Sequence, residues 1–547
     1  MQLRSRHTLT LFVLLVGFAL AGVMHGARGA LSSGFGAADD EAAHLVSGVM
    51  VHDYLIDHEP LHPVRYAENY YTHYPKVAIG QWPPGYYGLQ AAWTLIFGVS
   101  RESIVLLGAA LMATIAAMLY AALAEDLGQP PALAAALLFL LLPLVQRLGA
   151  MTMTELPLSM FCLAAVFAFG RLMDRNRWRD GIAFALFASA AILTKANGLA
   201  LALLPFFAIL IARRWSLLRS RPFWLSGLLV AILAGPWTLR FLEVNQSTWG
   251  GGAQPSVAFL LHAAPYHAAG LSALGGALVL ACALWGAKVR IGTANASGLW
   301  ITTGAWCLAV YVFHSVIPSS IERRHMLLLA PGLCMLAAAG SLDLAARLAP
   351  PARQARLAGA ALLLAAFAAI GWSFPLKRFT GFEAAVAYID AQPQFDRHAV
   401  LIDSGAIGEG LAISEFVLID DERPSRHVLR ATKFLSRSTW TGDEYVSLFE
   451  TPESMADALA EIPVGIVLFD HSVNSHQRMP HHLLLQRMLR VDPHWQLVQS
   501  FDVQRGVLQF PQGLELWACE GVDRMTAGHL EFDQVLGREV PFHEHRE

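Results

Sequence analysis

The sequence predicts a polytopic α-helical membrane protein with a soluble α/β domain at its C-terminal end. Apolar residues make up 55% of the 547 residues and charged residues only 15%, against about 25% charged residues in soluble proteins. The apolar residues fall into long runs, and a run of about 20 can cross a bilayer as a helix. Residues 376–547 instead contain short β-rich runs. We therefore predict a membrane domain over 1–375 and an α/β domain over 376–547.

Eleven apolar segments are candidates for membrane spans. They are 8–24, 103–124, 131–146, 156–170, 181–194, 198–212, 223–239, 268–287, 299–314, 326–344 and 357–373. Residues 181–212 are interrupted only by "TKANG" at 194–198. We count two spans there because two crossings keep the Arg clusters at 171–179 and 213–221 on one side, as the excess of Lys and Arg in cytoplasmic loops requires.

This count also predicts the orientation of the chain. The N-terminus and the basic loops lie in the cytoplasm, and an odd number of spans places the tail outside. The sequence "ARG" at 27–29 resembles a cleavage site, so a cleaved signal peptide is an alternative to a retained first helix. The low Lys content and the abundance of Ala, Leu and Arg favour a GC-rich bacterial source. We therefore expect the bacterial inner membrane and a periplasmic tail.

Composition excludes several other classes of protein. The net charge of −3 is too small to indicate a nucleic-acid partner. Four of the five Cys lie inside apolar runs, so we expect no disulfide framework. The 21 His scatter along the chain without metal-ligand spacing.

An acidic cluster opens the first external loop, which covers about 25–102. Asp39, Asp40 and Glu41 are consecutive, and His44 follows one turn later. The acids could cap a helix, since Asp is a favoured N-cap residue. They could hold a divalent cation, or one of them could act as a general base. One acid is enough for a cap, and three are present.

The rest of this loop is rich in His and aromatic residues. It contains His73 and Lys76 and ends in an apolar stretch over 85–98 that is too short to span comfortably. A helix in the membrane interface suits this stretch, with Trp82, Tyr86 and Tyr87 at headgroup depth. The preceding Pro83 and Pro84 set its start.

Cations at the external ends of the spans depart from the charge rule. They are Arg147, Lys195, Arg323 and Arg324. A lipid phosphate held at that depth would explain them, because the Arg fork matches phosphate oxygens and Lys supplies a point charge. The alternative is that they only anchor helices to headgroups.

The tail alternates short strands with helical patterns. We predict strands within 398–405, 465–470 and 495–501 and a helix over 454–462. The "GAIGEG" that begins at residue 405 lacks the spacing of a dinucleotide-binding loop. The strand-end acids Asp403 and Asp470 are interpreted as turn formers.

Several motifs occur in the order found in one family. The Asp40-Glu41-x-x-His44 pattern is similar to its external Asp-Glu pair, and "QWPPGYYGLQAAW" (81–93) keeps its proline pair and aromatics. Here Gly85 replaces the usual Leu, and the Lys or His beside the prolines is missing. "LTKANGLALALLP" (193–205) is similar to its TK-x-x-G turn.

A further segment, "IERRHMLLLAPGL" (321–333), is similar to the family's ERY-x-LP segment, with His325 in place of Tyr. The chain thus resembles, over about 30–335, the C-type glycosyltransferases, specifically the protein O-mannosyltransferase and aminoarabinose transferase-like group that uses polyprenyl-phosphate sugars. The resemblance implies a membrane-embedded C-type glycosyltransferase fold and a polyprenyl-phosphate-linked sugar donor. The acceptor is a lipid, a glycan or a protein.

The resemblance also implies roles for individual residues. Asp40 is the expected general base of an inverting transfer, with Glu41 and His44 orienting it or the acceptor, and Asp39 either capping the helix or taking the base role. The lipid phosphate falls to Lys195 and one of Arg323 or Arg324.

Arg147 and Lys76 are further phosphate candidates, and Trp82, Tyr86, Tyr87 and His73 are candidates for the donor and acceptor pocket. No cofactor is required, although a divalent cation could sit at Asp39, Asp40 and Glu41. A rival interpretation is a transporter or flippase of a lipid-linked sugar, which would place ionisable residues deep within spans. A non-catalytic envelope scaffold explains the apolar chain but not the acids and cations together.

Overall fold

The chain forms two compact units in a computed structural model. The structure describes residues 2–58, 61–78, 80–245, 255–293, 295–318, 320–348, 352–368, 375–396, 398–437, 445–473 and 478–522. The helical unit consists of residues 1–27, 80–86 and 105–375. The mixed unit consists of residues 28–79, 87–104 and 376–547, so most of the predicted loop over 25–102 belongs to the same unit as the tail.

Helices dominate the described residues up to 368. In chain order they are α1 (Gln2–Ala27), α2 (Glu41–Ile56), α3 (Pro63–His73), α4 (Gly85–Phe97), α5 (Arg101–Leu123), α6 (Gln129–Leu141), α7 (Pro143–Gly149), α8 (Glu155–Arg175), α9 (Trp178–Thr194), α10 (Leu203–Ala212), α11 (Arg221–Asn245), α12 (Val257–Gly275), α13 (Ala277–Ile291), α14 (Gly298–Val316), α15 (Ala330–Leu348) and α16 (Ala352–Ala368).

Five further helices and eight strands are described beyond residue 368. In chain order they are β1 (Phe379–Thr380), α17 (Phe382–Asp390), β2 (Ala399–Asp403), α18 (Ala406–Ile419), β3 (Val428–Arg430), α19 (Ala431–Phe434), β4 (Ser436–Arg437), β5 (Val446–Ser447), α20 (Pro452–Glu461), β6 (Val464–Asp470), α21 (Pro480–Val491), β7 (Trp495–Arg505) and β8 (Leu508–Cys519).

Seven helices of the described chain are long and apolar enough to cross a membrane. They are α1 from His7, α5, α8, α11 to Arg240, α12, α14 and the stretch Arg323–Leu348 that contains α15. The pair α6 and α7, bent by 59°, is an eighth if it forms one span. Leu142 joins the two, and Pro143, which cannot donate a backbone hydrogen bond to the preceding turn, begins α7. The polytopic helical fold is confirmed. The expected count of eleven spans is not reached in the described residues, because α9 and α10, expected as two spans, have only 17 and 10 residues.

The structure corrects one expected span and confirms one interruption. Residues 268–287 are not one helix: α12 ends at Gly275, and α13 begins at Ala277. The intervening Gly276 has φ +82°, a conformation that glycine adopts without steric cost. The break expected at "TKANG" is present, because α9 ends at Thr194 and a 3₁₀ helix follows over Ala196–Ala202.

The mixed unit contains a six-stranded sheet in the order β1-β7-β8-β6-β2-β3. Strand β2 is parallel to both β3 and β6, whereas β6–β8, β7–β8 and β1–β7 are antiparallel. The three strands and the helix predicted in the tail are all found, as β2, β6, β7 and α20. Strands β2 and β6 are wholly buried, as expected for parallel strands covered on both faces.

Candidate functional site

The acidic cluster lies at the start of α2, as its residue types predict. Asp40 occupies the N-cap position, yet its side chain makes no capping hydrogen bond to the helix. Asp39 is exposed and Asp40 is half-buried. The Asp40 carboxylate therefore does not cap α2 in the described geometry.

Glu41 has a structural environment that differs from that of Asp40. Its side chain is fully buried, with Oε2 accepting a hydrogen bond from the Ala37 backbone N–H at 2.8 Å. Its Oε1 lies 2.5 Å from Nζ of Lys377, which is also buried. Lys377 compensates the buried charge of Glu41, and the hydrogen bond from Ala37 holds the turn that precedes α2. No local signal identifies Lys377 as the partner of Glu41, since 336 residues separate the two.

His44 and Tyr87, both singled out from the sequence, meet inside the mixed unit. His44 Nδ1 and the Tyr87 hydroxyl are 3.1 Å apart, and both side chains are buried. The contact joins α2 to α4. His73 lies elsewhere in this unit, where its Nδ1 is 2.9 Å from the Asn69 carbonyl oxygen and its ring centroid is 4.1 Å from that of His427, with the two rings tilted by 39°.

Lys76 is buried close to the acids. Its Nζ donates to the Ala406 carbonyl oxygen at 3.3 Å. Burial, with a smaller contribution from Arg430, lowers the pKa of Lys76 to about 8, and the charges of Glu409, Asp40 and Asp39 act in the opposite direction. Lys76 therefore sits in the electrostatic field of the acidic cluster.

The helical unit brings two of the predicted cations together. Lys195 Nζ lies 2.7 Å from Oε1 of Glu155, and Arg324 Nε lies 3.6 Å from the same oxygen. Arg324 also pairs with Glu322 at 2.6 Å. Arg323 and Arg147 are exposed, so Arg324 is the one of the adjacent pair that joins Lys195.

Sequence reasoning missed Glu155, which organises this cation site. Glu155 is 2% exposed and begins α8. The available signal was its position as the lone acid of "MTMTELPLSMF". A buried carboxylate between two cations marks the place that another anion, such as a phosphate, could take.

Polar rings surround the same cation site. His325 stacks on His314 at 4.7 Å with an interplanar angle of 15°, and His267 lies 5.9 Å from His314. Asn197, in the "TKANG" turn, contacts His314 Nε2 at 3.5 Å. The "TKANG" turn, helix α14 with His314 and the segment that carries His325 thus converge in the helical unit.

Comparison with known proteins identifies the fold. Residues 81–239 match the sequence model of the dolichyl-phosphate-mannose-protein mannosyltransferase family. The structure is similar to ArnT from Cupriavidus metallidurans in the apo state, with a TM-score of 0.58 and 13% identity over 95% of this chain and 98% of that one. The chain has the C-type glycosyltransferase fold. The resemblance indicated by the sequence motifs is thereby confirmed.

Other solved structures share this C-type fold. ArnT from the same organism bound to undecaprenyl phosphate gives a TM-score of 0.55 and 14% identity over 93% of this chain and 97% of that one. The Archaeoglobus fulgidus oligosaccharyltransferase in complex with Zn and sulfate gives a TM-score of 0.52 and 12% identity, over 84% of this chain and 68% of that one. No curated protein matches the chain by sequence.

The departure of this chain from the family's proline motif has a steric cause. A Cβ atom on Gly85 would lie 2.6 Å from the backbone oxygen of Leu193. Gly85 is the first residue of α4, the helix predicted after Pro83 and Pro84. The close approach of two backbones excludes the usual Leu at this position. Trp82 and Tyr86, on either side, are buried in the helical unit.

Within the described part of this C-type chain, one group of three side chains has the geometry of a metal site. It consists of Asp403, His481 and His482, all of them buried in the mixed unit. The acids at 39–41 do not form such a group, and Glu41 is engaged by Lys377.

Proposed function

We propose that the protein is a membrane glycosyltransferase that moves a sugar from a polyprenyl-phosphate donor to an acceptor hydroxyl at the extracytoplasmic face. The observation that carries the proposal is the pairing of Lys195 and Arg324 around Glu155 in a chain with the C-type fold. The undecaprenyl phosphate bound by ArnT, a protein of the same fold, supports a polyprenyl-phosphate donor. Lipid, glycan and protein acceptors are all compatible with it.

The cation site stabilises the leaving group. A phosphate monoester is already a good leaving group, so the enzyme chiefly has to stabilise the charge that develops on its oxygens. The Lys195 ammonium and the Arg324 guanidinium supply two positive charges, of which Arg324 can donate two parallel hydrogen bonds. A bound phosphate would draw both cations away from the Glu155 carboxylate.

Asp40 acts as the general base. The acceptor O–H gives its proton to the Asp40 carboxylate while the acceptor oxygen bonds to the anomeric carbon. The bond from that carbon to the phosphate oxygen breaks, the phosphate keeps the electron pair, and the configuration inverts. Glu41, held by Lys377, and His44, held by Tyr87, fix the turn that presents Asp40.

No metal is assigned to the acidic cluster, because Glu41 is already neutralised by Lys377. Lys76, which shares the electrostatic field of Asp39 and Asp40, keeps an excess of negative charge from building up there. A general base has to be reached by the acceptor hydroxyl, and the half-buried Asp40 meets this requirement better than the fully buried Glu41.

The charge pattern at the ends of the helices supports an extracytoplasmic active site. A cavity of about 890 Å³ is lined by Arg171 and Arg175 near the end of α8 and by Arg290 near the end of α13. Arg290 pairs with Asp126, after α5, at 3.1 Å. Because Lys and Arg are in excess in cytoplasmic loops, we assign this end of the helices to the cytoplasmic side. Lys195 follows the opposite end of α9 and is therefore assigned to the outer face.

The test compares Asp40→Asn with Asp39→Asn, its neighbour and matched control. Membranes with equal amounts of each variant receive native polyprenyl-phosphate sugars, and the release of free lipid phosphate is followed. We expect Asp40→Asn to lose at least a hundredfold in rate, within the usual range for removal of a general base, and Asp39→Asn to keep most of it. Equal loss in both variants, or none in either, refutes the role of Asp40.

The same assay separates the enzyme from a transporter. A flippase would move labelled lipid across the bilayer without releasing lipid phosphate. If the wild type moves lipid and releases none, the proposed function is wrong.

A further inference from the structure

The carboxyl ends of the parallel strands in the mixed unit bring together residues that are far apart in sequence. Asp403 is the last residue of β2, and His481 and His482 lie in the first turn of α21. The three residues are 1%, 0% and 4% exposed, respectively. Ligands in sheets of this kind bind outside the carboxyl ends of parallel strands. The described residues therefore place two imidazoles and a carboxylate at a favoured position for a ligand.

The ligand atoms of this cluster are close to one another. Asp403 Oδ1 lies 2.5 Å from His482 Nδ1 and 3.9 Å from His481 Nε2, and one ligand atom from each of the three residues lies within 4.8 Å of the others. A tetrahedral ion with bonds of about 2.1 Å needs ligand atoms about 3.4 Å apart. The two measured distances lie on either side of that value, so small rotations of the side chains are enough to form a site.

Two atoms in the cluster lack hydrogen bonds within the described structure. They are Asp403 Oδ2 and His481 Nε2, and both are buried. A buried polar atom without a partner costs about 1–3 kcal/mol. The neighbouring strand-end acid Asp470 does not share this deficit, because it accepts hydrogen bonds from Ser404, from Ser472 and from Arg505. Of the two strand-end acids, Asp403 is therefore the one whose Oδ2 can still bind a ligand.

A third contact orients the ring of His481. The Tyr445 hydroxyl lies 2.9 Å from His481 Nδ1 and also accepts the backbone N–H of His481 at 3.3 Å. When Nδ1 carries the proton and donates it to the Tyr445 oxygen, Nε2 presents its lone pair to the cluster. Histidines that bind metals are held in this way by a second hydrogen-bonding partner.

We propose that Asp403, His481 and His482 bind a divalent transition-metal ion of the zinc class. Two imidazole nitrogens and one carboxylate oxygen are donors that zinc prefers, whereas magnesium and calcium favour all-oxygen sets. The ion would join the end of β2 to the start of α21 and leave a fourth position for water. The site does not depend on the proposed transferase activity.

The first experiment measures metal content. The full-length protein is purified in detergent, its affinity tag is removed, and it is stripped with a chelator, incubated with zinc chloride and desalted. We expect the wild type to retain about one zinc ion per chain, and His481→Gln and Asp403→Asn to retain less than a tenth of that. The matched control is His471→Gln, since His471 also pairs with a carboxylate, that of Glu515 at 3.0 Å, but without a third ligand. It should retain the wild-type amount.

A second measurement guards against misfolded variants. Zinc should raise the thermal unfolding temperature of the wild type and of His471→Gln, because a ligand that binds only the folded state stabilises it. Zinc should leave the unfolding temperatures of His481→Gln and Asp403→Asn unchanged. The proposal is wrong if the wild type retains no zinc and its unfolding temperature does not move. It is equally wrong if the ligand variants retain as much zinc as the wild type.

Discussion

Lys76 provides a quantitative test of the environment around the acidic cluster. Burial lowers its pKa from the ordinary lysine value of 10.5 to about 8. At about 1.4 kcal/mol for each tenfold change in the equilibrium constant, this difference corresponds to about 3 kcal/mol. The folded protein bears this cost at neutral pH, where Lys76 is charged in both the folded and the unfolded states.

The sign of the pH dependence follows from the lowered pKa. Between pH 8 and pH 10.5 the unfolded chain binds the Lys76 proton and the folded chain has released it, so this group contributes stability that rises with pH. Below pH 8 the full cost is present. A Lys76→Met variant has no charge to bury and loses only the hydrogen bond to Ala406. It should be more stable than the wild type by about 2–3 kcal/mol at pH 7, and the difference should fade towards pH 10.5.

Thermal unfolding of both proteins in detergent, from pH 7 to pH 10.5, measures this difference. The Asp40→Asn variant provides a second comparison. The Asp40 charge raises the pKa of Lys76, so its removal should lower that pKa further. The pH range in which stability rises should then begin at a lower pH. A stability difference between wild type and Lys76→Met that is constant from pH 7 to pH 10.5 would show that the pKa of Lys76 is not lowered by burial. So would a variant that is less stable at every pH.

Two further predictions concern packing and a buried charge. Gly85→Ala should lower the free energy of unfolding by about 1–3 kcal/mol, because the new Cβ would meet the Leu193 backbone. Its matched control is Gly88→Ala, which has no neighbour within 4 Å and should stabilise α4 by up to about 1 kcal/mol. Unfolding temperatures that shift in the same direction in both variants would contradict this expectation. Lys377→Met should destabilise the fold by about 3–5 kcal/mol because the buried Glu41 charge loses its ion-pair partner. Adding Glu41→Gln should recover most of this loss in the same unfolding assay. Additive losses would exclude the ion pair.

Local signals in the sequence predicted the elements that depend on local physics. The helix after Asp40, the start of α4 after Pro84 and the break in the chain near Lys195 all follow from the preferences of neighbouring residues. The single helix predicted over 268–287 failed because an apolar run hides a backbone break, and only the adjacent Gly275 and Gly276 hinted at it.

Long-range pairs could not be predicted in the same way. Glu155 and Lys195 are 40 residues apart, and Asp403 and His482 are 79 residues apart. Periodicity reports which face of an element is apolar, but it carries no information about which polar side chains meet after folding. The Asp403 interpretation as a turn former was therefore incomplete, because its partners come from α21.

The most direct test of the account is the binding of undecaprenyl phosphate to the purified protein and to two adjacent variants, Arg324→Gln and Arg323→Gln. Arg324 shares Glu155 with Lys195, whereas Arg323 is exposed. We expect Arg324→Gln to weaken binding at least tenfold, because a charge-assisted contact to phosphate is lost, and Arg323→Gln to leave the affinity unchanged. Unchanged affinity in Arg324→Gln, or an equal loss in both variants, would contradict the assignment of the phosphate site.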